Sequence, residues 1–319
     1  MGIEAASCTV HFQAGSHFET TVKEKERIIG VLDTGTCKTC FILARALRDG
    51  RLTMLASGFS KSSGLNKGVV VNVGEAAASI RQAAREVESK SSLSATRVAA
   101  GISGAHLQSH NFRGTVEVRG NHCVVTPADM DNAVRAARSI PLSPEREIIH
   151  VLPREFYVNN RGGIVDPVGL SGSLLDADLH VISCDGPLSQ SLVNAANKAD
   201  IEVKRLIAQS LASAEAVLTP EEKQLGAAVI DVGGGTTDIA VYLEDKVFFT
   251  SVIGAGGTHF TRDLVRGIRI TQQEAERVKI EFGSVLPEQV EPDEVVSIEG
   301  LGMRGPRDCA RRTICANLR

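Results

Sequence analysis

The sequence is poor in aromatic residues and has no large excess of charge of either sign. Its 319 residues include no Trp and two Tyr, and 35 basic against 38 acidic side chains give a formal net charge of −3. Nucleic-acid-binding surfaces are usually basic, and proteins that hold single strands stack the bases on aromatic rings. We therefore predict no nucleic-acid partner.

Long hydrophobic runs are also missing. No apolar run reaches the roughly 18 residues of a membrane-spanning helix, and residues 1–27 lack the uninterrupted apolar region of a signal peptide. On this evidence alone, the sequence predicts a cytoplasmic protein.

The cysteines form no recognisable framework. There are seven, an odd number, and they are scattered, as is typical of proteins whose thiols stay reduced. Cys37 and Cys40 have C-x-x-C spacing, but no second pair completes a zinc site, and a thioredoxin-like pair would be expected to open a helix. We interpret them as two separate thiols, with a redox pair as the less favoured alternative.

The most informative feature present is a glycine- and threonine-rich turn in segment 229–242. Apolar, β-branched runs precede and follow it, which predicts a β-hairpin. Glycine lets backbone N–H groups converge on an anion, and the Thr hydroxyls add donors. Asp231 and Asp238 flank the turn and could hold Mg²⁺ or its waters beside a phosphate. The predicted phosphate-binding residues of the turn are Gly233, Gly234, Gly235, Thr236 and Thr237.

Two common phosphate loops do not fit this turn. The Walker A loop and the Rossmann loop each need their own glycine spacing, and each opens a helix, whereas here the chain re-enters a strand. An ordinary glycine-rich β-turn without a ligand is the alternative for this segment taken alone.

A second segment, 28–43, repeats the same design. An apolar run leads into Asp33, a turn that contains Gly35 and Thr36 follows, and a second apolar run begins near Lys38. Two such hairpins suggest two related halves that close on one nucleotide, which is the arrangement of the actin-like ATPase superfamily. The predicted fold class is therefore α/β, an actin-like (ribonuclease H-like) duplicated domain with a small inserted α+β subdomain.

Local patterns between the hairpins predict the remaining elements. Thr126, Pro127 and Asp129 have the spacing of a capped helix start, and Thr271 with Glu274 has that of a capping box for a helix ending at Phe282. We also predict a hairpin of 115–118 and 122–125 around residues 119–121. Further strands are predicted at 52–60, 147–152, 155–158, 178–183 and 201–208, and further helices at 74–89, 188–198, 210–218 and 258–267.

These elements divide the chain into six predicted segments. They are an N-terminal extension at 1–27, the first actin-like half at 28–91 and 167–208, an inserted α+β subdomain at 92–166, the second half at 209–251, and an outer lobe of that half at 252–319.

The chain resembles the FtsA family, the bacterial cell-division members of the actin-like superfamily, from about Arg27 to its C-terminus. Besides the two hairpins, the resemblance includes Gly101-Ile-Ser-Gly-Ala-His106, Asp166-Pro-Val-Gly-Leu-Ser-Gly172, Leu211-Ala-Ser-Ala-Glu-Ala216 and the helix with Ala275, Glu276 and Lys279. The position of the inserted subdomain and the segment at Pro167 to Gly172 distinguish FtsA from the wider superfamily.

The resemblance implies a set of site residues. Glu276 and Lys279 match the pair that contacts ribose and adenine, although a surface ion pair is the alternative. Gln209 matches a polar residue near Mg²⁺ or the attacking water, the candidate catalytic residue. The implied cofactors are ATP and Mg²⁺, the metal held through waters by Asp33 and Asp231. The implied nucleotide-binding residues are Asp33, Gly35, Thr36, Lys38, Asp231, Gly233, Gly234, Gly235, Thr236, Thr237, Asp238, Gly256, Gly257, Glu276 and Lys279.

The resemblance also implies a function and partners. An ATP-binding protein of this family would join FtsZ filaments to the cytoplasmic face of the inner membrane at the division septum and recruit later division proteins, with weak or absent ATPase activity. Residues 252–305 would dock the FtsZ C-terminal tail, and the inserted subdomain would contact other subunits in a protofilament. A small-molecule kinase of the superfamily and an MreB-like filament protein are the alternatives.

FtsA chains continue well past the length of this one. The resemblance places a final adenosine loop, further strands and a membrane-binding amphipathic helix beyond position 319. We therefore expect weaker nucleotide binding and no autonomous membrane attachment from these 319 residues.

Overall fold

The computed structural model describes residues 27–47, 51–119, 121–139, 142–300 and 305–318. The chain forms two compact units, a larger one of Met1–Asp231 with Thr236–Gly254 and a smaller one of Val232–Gly235 with Ala255–Arg319. Residues 1–26 of the predicted N-terminal extension lie outside the described part.

The larger unit contains the first predicted hairpin and, apart from the turn at Val232–Gly235, the second. Its strands are β1 (Arg27–Thr34), β2 (Lys38–Ala46), β3 (Leu52–Lys61), β4 (Leu65–Asn66), β5 (Val69–Val70), β6 (Arg97–Ile102), β7 (Gln108–Glu117), β8 (Arg146–Val158), β9 (Arg161–Ile164), β10 (Leu174–Asp185), β11 (Glu202–Ala208), β12 (Ala227–Val232), β13 (Thr237–Leu243) and β14 (Lys246–Ile253). Its helices are α1 (Val73–Ser91), α2 (Pro127–Arg138), α3 (Gly186–Lys198), α4 (Gln209–Val217) and α5 (Pro220–Leu225).

A five-stranded sheet with the order β11-β6-β1-β2-β3 is built on the first hairpin. Strand β1 pairs antiparallel with β2 and parallel with β6. Helix α1 covers this sheet because its apolar positions, which include Ile80 and Val87, are buried at helical spacing. The close approach needs a glycine at position 58, where a Cβ would lie 2.2 Å from the Ala83 carbonyl oxygen. The predicted hairpin, third strand and helix are confirmed.

The second hairpin lies in a three-stranded sheet with the order β12-β13-β14. Along β13, Asp238, Ala240 and Tyr242 are buried, as expected of alternating residues that face one side of a strand. Ala240 and Tyr242 form a small core cluster with Ala214 of α4. The hairpin predicted at 229–242 is confirmed.

A four-stranded sheet with the order β7-β10-β8-β9 corrects two predictions. Strand β7 pairs antiparallel with β10, so the predicted hairpin of 115–118 with 122–125 is wrong, and residues 121–123 form a short 3₁₀ turn instead. The two strands predicted at 147–152 and 155–158 are one strand, β8. A register shift against β10 at Asp178/Leu179 lets it continue past Pro153.

Helix α2 packs against this four-stranded sheet. Its predicted capped start is confirmed and takes the form of a capping box, since Thr126 Oγ1 accepts from the Asp129 N–H at 3.3 Å and Asp129 Oδ2 accepts from the Thr126 N–H at 2.9 Å. Gly114 of β7 permits the contact, because a Cβ there would lie 2.1 Å from the Ala137 nitrogen.

The range 92–166 does not coincide with the strands of one sheet. Strand β6 lies inside that range and pairs with β1 in the five-stranded sheet, whereas β10 lies beyond it and pairs with β7 and β8. Helix α3 begins directly after β10, and Asp185 Oδ1 caps it by accepting from the Leu188 N–H at 3.1 Å. The exact limits of the inserted subdomain stay a prediction.

The smaller unit contains α6 (Gly257–Ile268), α7 (Gln272–Phe282), β15 (Val295–Ile298), β16 (Arg307–Ala310) and α8 (Arg311–Ala316). Half of the capping box predicted for α7 is present, since Thr271 Oγ1 accepts from the Glu274 N–H at 3.2 Å. The Glu274 carboxylate does not return the bond, because it is buried and pairs with Arg277 at 2.6 Å. None of the helices in the described ranges is long and apolar enough to cross a bilayer.

Candidate functional site

Three elements of the larger unit meet at Asp33. This residue lies near the end of β1, and Gln209, the first residue of α4, donates a hydrogen bond from Nε2 to Asp33 Oδ1. Gly101 of β6 leaves the space they need, because a Cβ there would lie 3.2 Å from Gln209 Cγ and 3.5 Å from Asp33 Oδ1. The candidate catalytic residue is thus in contact with the first candidate metal-binding residue.

A second carboxylate, that of Asp231, lies near the first. Ser213 of α4 donates to Asp231 Oδ2 at 2.6 Å. Burial raises the pKa of Asp33, and the charge of Asp231 raises it further, while Lys38 and the hydrogen bond from Gln209 lower it. The carboxylate of Asp231 is therefore close enough to affect the ionisation of Asp33.

Asp238 adds a third carboxylate, which is only 3% exposed. Ser103 donates to its Oδ2 at 2.7 Å, whereas its Oδ1 is buried and has no hydrogen-bond partner among the described residues. Burial raises the pKa of Asp238 to about 6, and the charges of Asp231 and Asp33 add to that rise. Sequence reasoning missed Ser103, although it lies in the matched segment 101–106.

The chemistry of this cluster fits a hydrated cation. Asp33 and Asp238 have raised pKa values, in part because of the charge of Asp231, and a divalent cation would stabilise their ionised forms. In the described part of the chain, no three His, Cys, Asp or Glu side chains are grouped to ligate a metal directly.

The first turn is closed by its own backbone and supported by a distant loop. The Gly35 N–H donates to the Lys38 carbonyl at 2.9 Å, and the Gly68 N–H donates to Thr36 Oγ1 at 3.2 Å. Gly68 has a positive φ of 78°, and a Cβ there would lie 2.5 Å from the Ser103 carbonyl oxygen. No local sequence pattern indicates that this loop supports the turn, because Gly68 lies 32 positions from Thr36 along the chain.

Lys38 begins β2 on an exposed part of the turn. Its ammonium lies 5.2 Å from the centroid of the Phe59 ring, a cation–π distance. Cys37 beside it is an exposed free thiol and Cys40 a buried one. The positive charge of Lys38 is exposed and can interact with an anion that binds near this turn.

The glycines of the second turn, within Val232–Gly235, belong to the smaller unit. Their carbonyl groups cap α6, since the Gly257 N–H donates to the Gly233 oxygen at 2.9 Å and the Thr258 N–H to the Gly234 oxygen at 2.8 Å. Gly256 fits against this turn closely, because a Cβ there would lie 2.4 Å from the Gly233 oxygen. Of the other predicted turn residues, Gly235 ends the glycine run, Thr236 is buried and hydrogen-bonded to Asp238, and Thr237 begins β13.

Glu276 and Lys279 form an ion pair on one face of α7. Their Oε2 and Nζ atoms are 2.7 Å apart, and Lys279 also donates to the Gly257 carbonyl at 3.1 Å. Burial raises the pKa of Glu276, but the hydrogen bonds from Lys279 and Thr261 outweigh this and leave it lowered. The pair is thus tied to the glycine segment at the start of α6.

The strand order, the two hairpins and the additional sheet define a class of protein, the actin-like α/β fold with an inserted α+β subdomain. A solved structure of a PilM–PilN type IV pilus biogenesis complex shares this fold with a TM-score of 0.60. It is 18% identical, and the match covers 81% of this chain and 70% of that one.

Sequence comparisons narrow the class. The family model described as an SHS2 domain inserted in FtsA matches residues 104–183, and that described as cell division protein FtsA matches residues 228–315. Cell division protein FtsA of Pseudomonas aeruginosa is 33% identical over 294 residues, which is 92% of this chain and 70% of the relative. Cell division protein FtsA of Escherichia coli K12 is 32% identical over 291 residues, which is 91% of this chain and 69% of the relative. The chain belongs to the FtsA family of cell-division proteins.

Proposed function

We propose that this chain binds Mg-ATP and acts in cell division by linking FtsZ filaments to the inner membrane. The observation that carries the nucleotide part is the cluster of Asp33, Asp231 and Asp238 in the larger unit, with an unpartnered buried oxygen on Asp238. Membership of the FtsA family supports the role in division.

The proposed roles follow from the chemistry of each group. Asp33 and Asp231 hold Mg²⁺ through waters, and Gln209 fixes the orientation of Asp33. In the larger unit, Thr36 and Lys38 contact phosphate oxygens through hydroxyl and ammonium donors, and Gly35 closes the turn that presents them, since its N–H donates to the Lys38 carbonyl. In the smaller unit, the glycines of the second turn and Gly256 allow close approach of the nucleotide, and Glu276 and Lys279 contact the nucleoside.

Hydrolysis is proposed to be weak or absent. Gln209 can orient a water but has no basicity, and we expect positioning with electrostatic stabilisation alone to support only slow turnover.

The proposed partners are those of an FtsA protein at the septum. They are the C-terminal tail of FtsZ on residues 252–305, other copies of the chain in a protofilament, later division proteins and the cytoplasmic face of the inner membrane. A fluorescently labelled FtsZ tail peptide should bind saturably in an anisotropy titration. Binding no stronger than that of a scrambled peptide would contradict the FtsZ assignment.

Removal of either metal-binding carboxylate tests the nucleotide proposal. Asp33→Ala and Asp231→Ala should each weaken ATP binding in Mg²⁺ at least about 100-fold, because the hydrated cation loses a charged anchor. Isothermal titration calorimetry with and without Mg²⁺ measures this effect, with the exposed Asp293→Ala as the matched control. Unchanged affinity in both variants would refute the assignment.

A further inference from the structure

The hydroxyl group of Thr261 is the centre of a hydrogen-bond network in the smaller unit. Thr261 lies in α6 and is 1% exposed. Its Oγ1 is 2.5 Å from Glu276 Oε2, 2.9 Å from Lys279 Nζ and 3.2 Å from the Gly257 carbonyl oxygen. One small buried side chain therefore contacts both members of the partly buried Glu276–Lys279 ion pair.

The number of protons fixes the direction of these bonds. An ammonium can only donate, so Thr261 Oγ1 accepts from Lys279 and has one proton left to give. The Glu276 carboxylate is the nearer acceptor and carries a charge, so it takes that proton in preference to the Gly257 carbonyl. Lys279 completes the network by donating to Glu276 and to Gly257. The direction of each hydrogen bond in the network is thereby determined.

The network leaves one edge of the Glu276 carboxylate free to accept further hydrogen bonds. The Glu276 side chain is 44% exposed, whereas that of Lys279 is 19% exposed. A carboxylate with one edge held inside the protein can accept hydrogen bonds from two neighbouring hydroxyl groups on its open edge, which is the pattern that a ribose presents.

We infer that Thr261 is a positioning residue that holds the Glu276–Lys279 pair in the orientation that selects a ribonucleotide over a deoxyribonucleotide. This inference rests on the proposed function, because it assigns Glu276 to the ribose of the bound ATP. Thr261 acts through Glu276 and Lys279 and does not contact the nucleotide.

The test compares Thr261→Val with Thr261→Ser. Valine keeps the shape of the side chain and removes the hydroxyl, whereas serine keeps the hydroxyl. Calorimetric titrations with ATP and 2′-deoxyATP give two affinities for each protein. Wild type and Thr261→Ser should prefer ATP about tenfold or more, and Thr261→Val should bind ATP about tenfold more weakly and lose most of the preference.

Each outcome has a distinct meaning. If wild type binds ATP and Thr261→Val retains both its affinity and its preference, the inference is overturned while the proposed function stands. If wild type binds no ATP, both are overturned. If Thr261→Val does not fold, as shown by circular dichroism, Thr261→Cys takes its place, because a thiol is a weak hydrogen-bond partner of similar size.

Discussion

Gly256→Ala is expected to weaken ATP binding by about tenfold or more, whereas Gly257→Ala, one residue further on, should change it by no more than about twofold. The difference comes from what surrounds each Cα atom. A Cβ on Gly256 would lie 2.4 Å from the Gly233 oxygen and 2.9 Å from the Gly234 carbonyl group, which are backbone atoms that cannot turn away. A Cβ on Gly257 would meet Lys279 Nζ at 3.6 Å and the Gly233 oxygen at 3.7 Å, which is ordinary contact.

The expected damage is local because the displaced segment is the glycine turn itself. Pushing Gly233 and Gly234 away also breaks the two hydrogen bonds that they accept from the start of α6. Overpacking of this kind costs typically about 1–3 kcal/mol. Equilibrium titration with a fluorescent ATP analogue measures the loss, with thermal unfolding of both variants as the folding control. Equal affinities for the two alanine variants would show that this turn does not shape the nucleotide site.

The second large effect concerns the stability of the protein without nucleotide. Asp238→Asn should raise the free energy of unfolding at pH 7.5 and have no such effect near pH 4. The folded-state pKa of Asp238 is about 6 against an ordinary 3.8. Below pH 4 the carboxyl is protonated in both states and its ionisation costs nothing, whereas above pH 6 it is ionised in the folded interior, which is unfavourable.

The size of this effect follows from the shift. A rise of about two pKa units corresponds to at most about 3 kcal/mol of destabilisation, developed as the pH increases from about 4 to above 6. Asparagine cannot ionise, and its amide oxygen can still accept the bond from Ser103. Urea unfolding of wild type and Asp238→Asn at several pH values measures the difference, with the exposed Asp293→Asn as the control. A constant difference across this range would mean that ionisation of Asp238 is not its source.

The hairpins were predictable because their signals are local. An apolar run, an Asp, a glycine- and threonine-rich turn and a second apolar run lie within about fifteen residues, and the structure contains both hairpins. The start of α2 was predictable for the same reason, since its capping box spans only Thr126 to Asp129.

The wrong strand pairing and the missed contacts involve residues that are far apart in the sequence. Strand β7 could not be paired correctly from its own sequence, because its partner β10 begins only at Leu174, after α2, β8 and β9. The contacts of Ser103 with Asp238 and of Gly68 with Thr36 likewise cross long stretches of chain. The candidate site residues could therefore be predicted from the sequence, but the residues that hold them in place could be identified only from the structure.

The direct passage from β10 into α3 has a mechanical consequence. Strand β10 is hydrogen-bonded on both sides in the four-stranded sheet, and Asp185, its last residue, is already the cap of α3. Helix α3 in turn packs against α1, which covers the five-stranded sheet. A force applied to the four-stranded sheet would thus be transmitted through β10 and α3 to α1 and the five-stranded sheet, because no flexible loop separates β10 from α3.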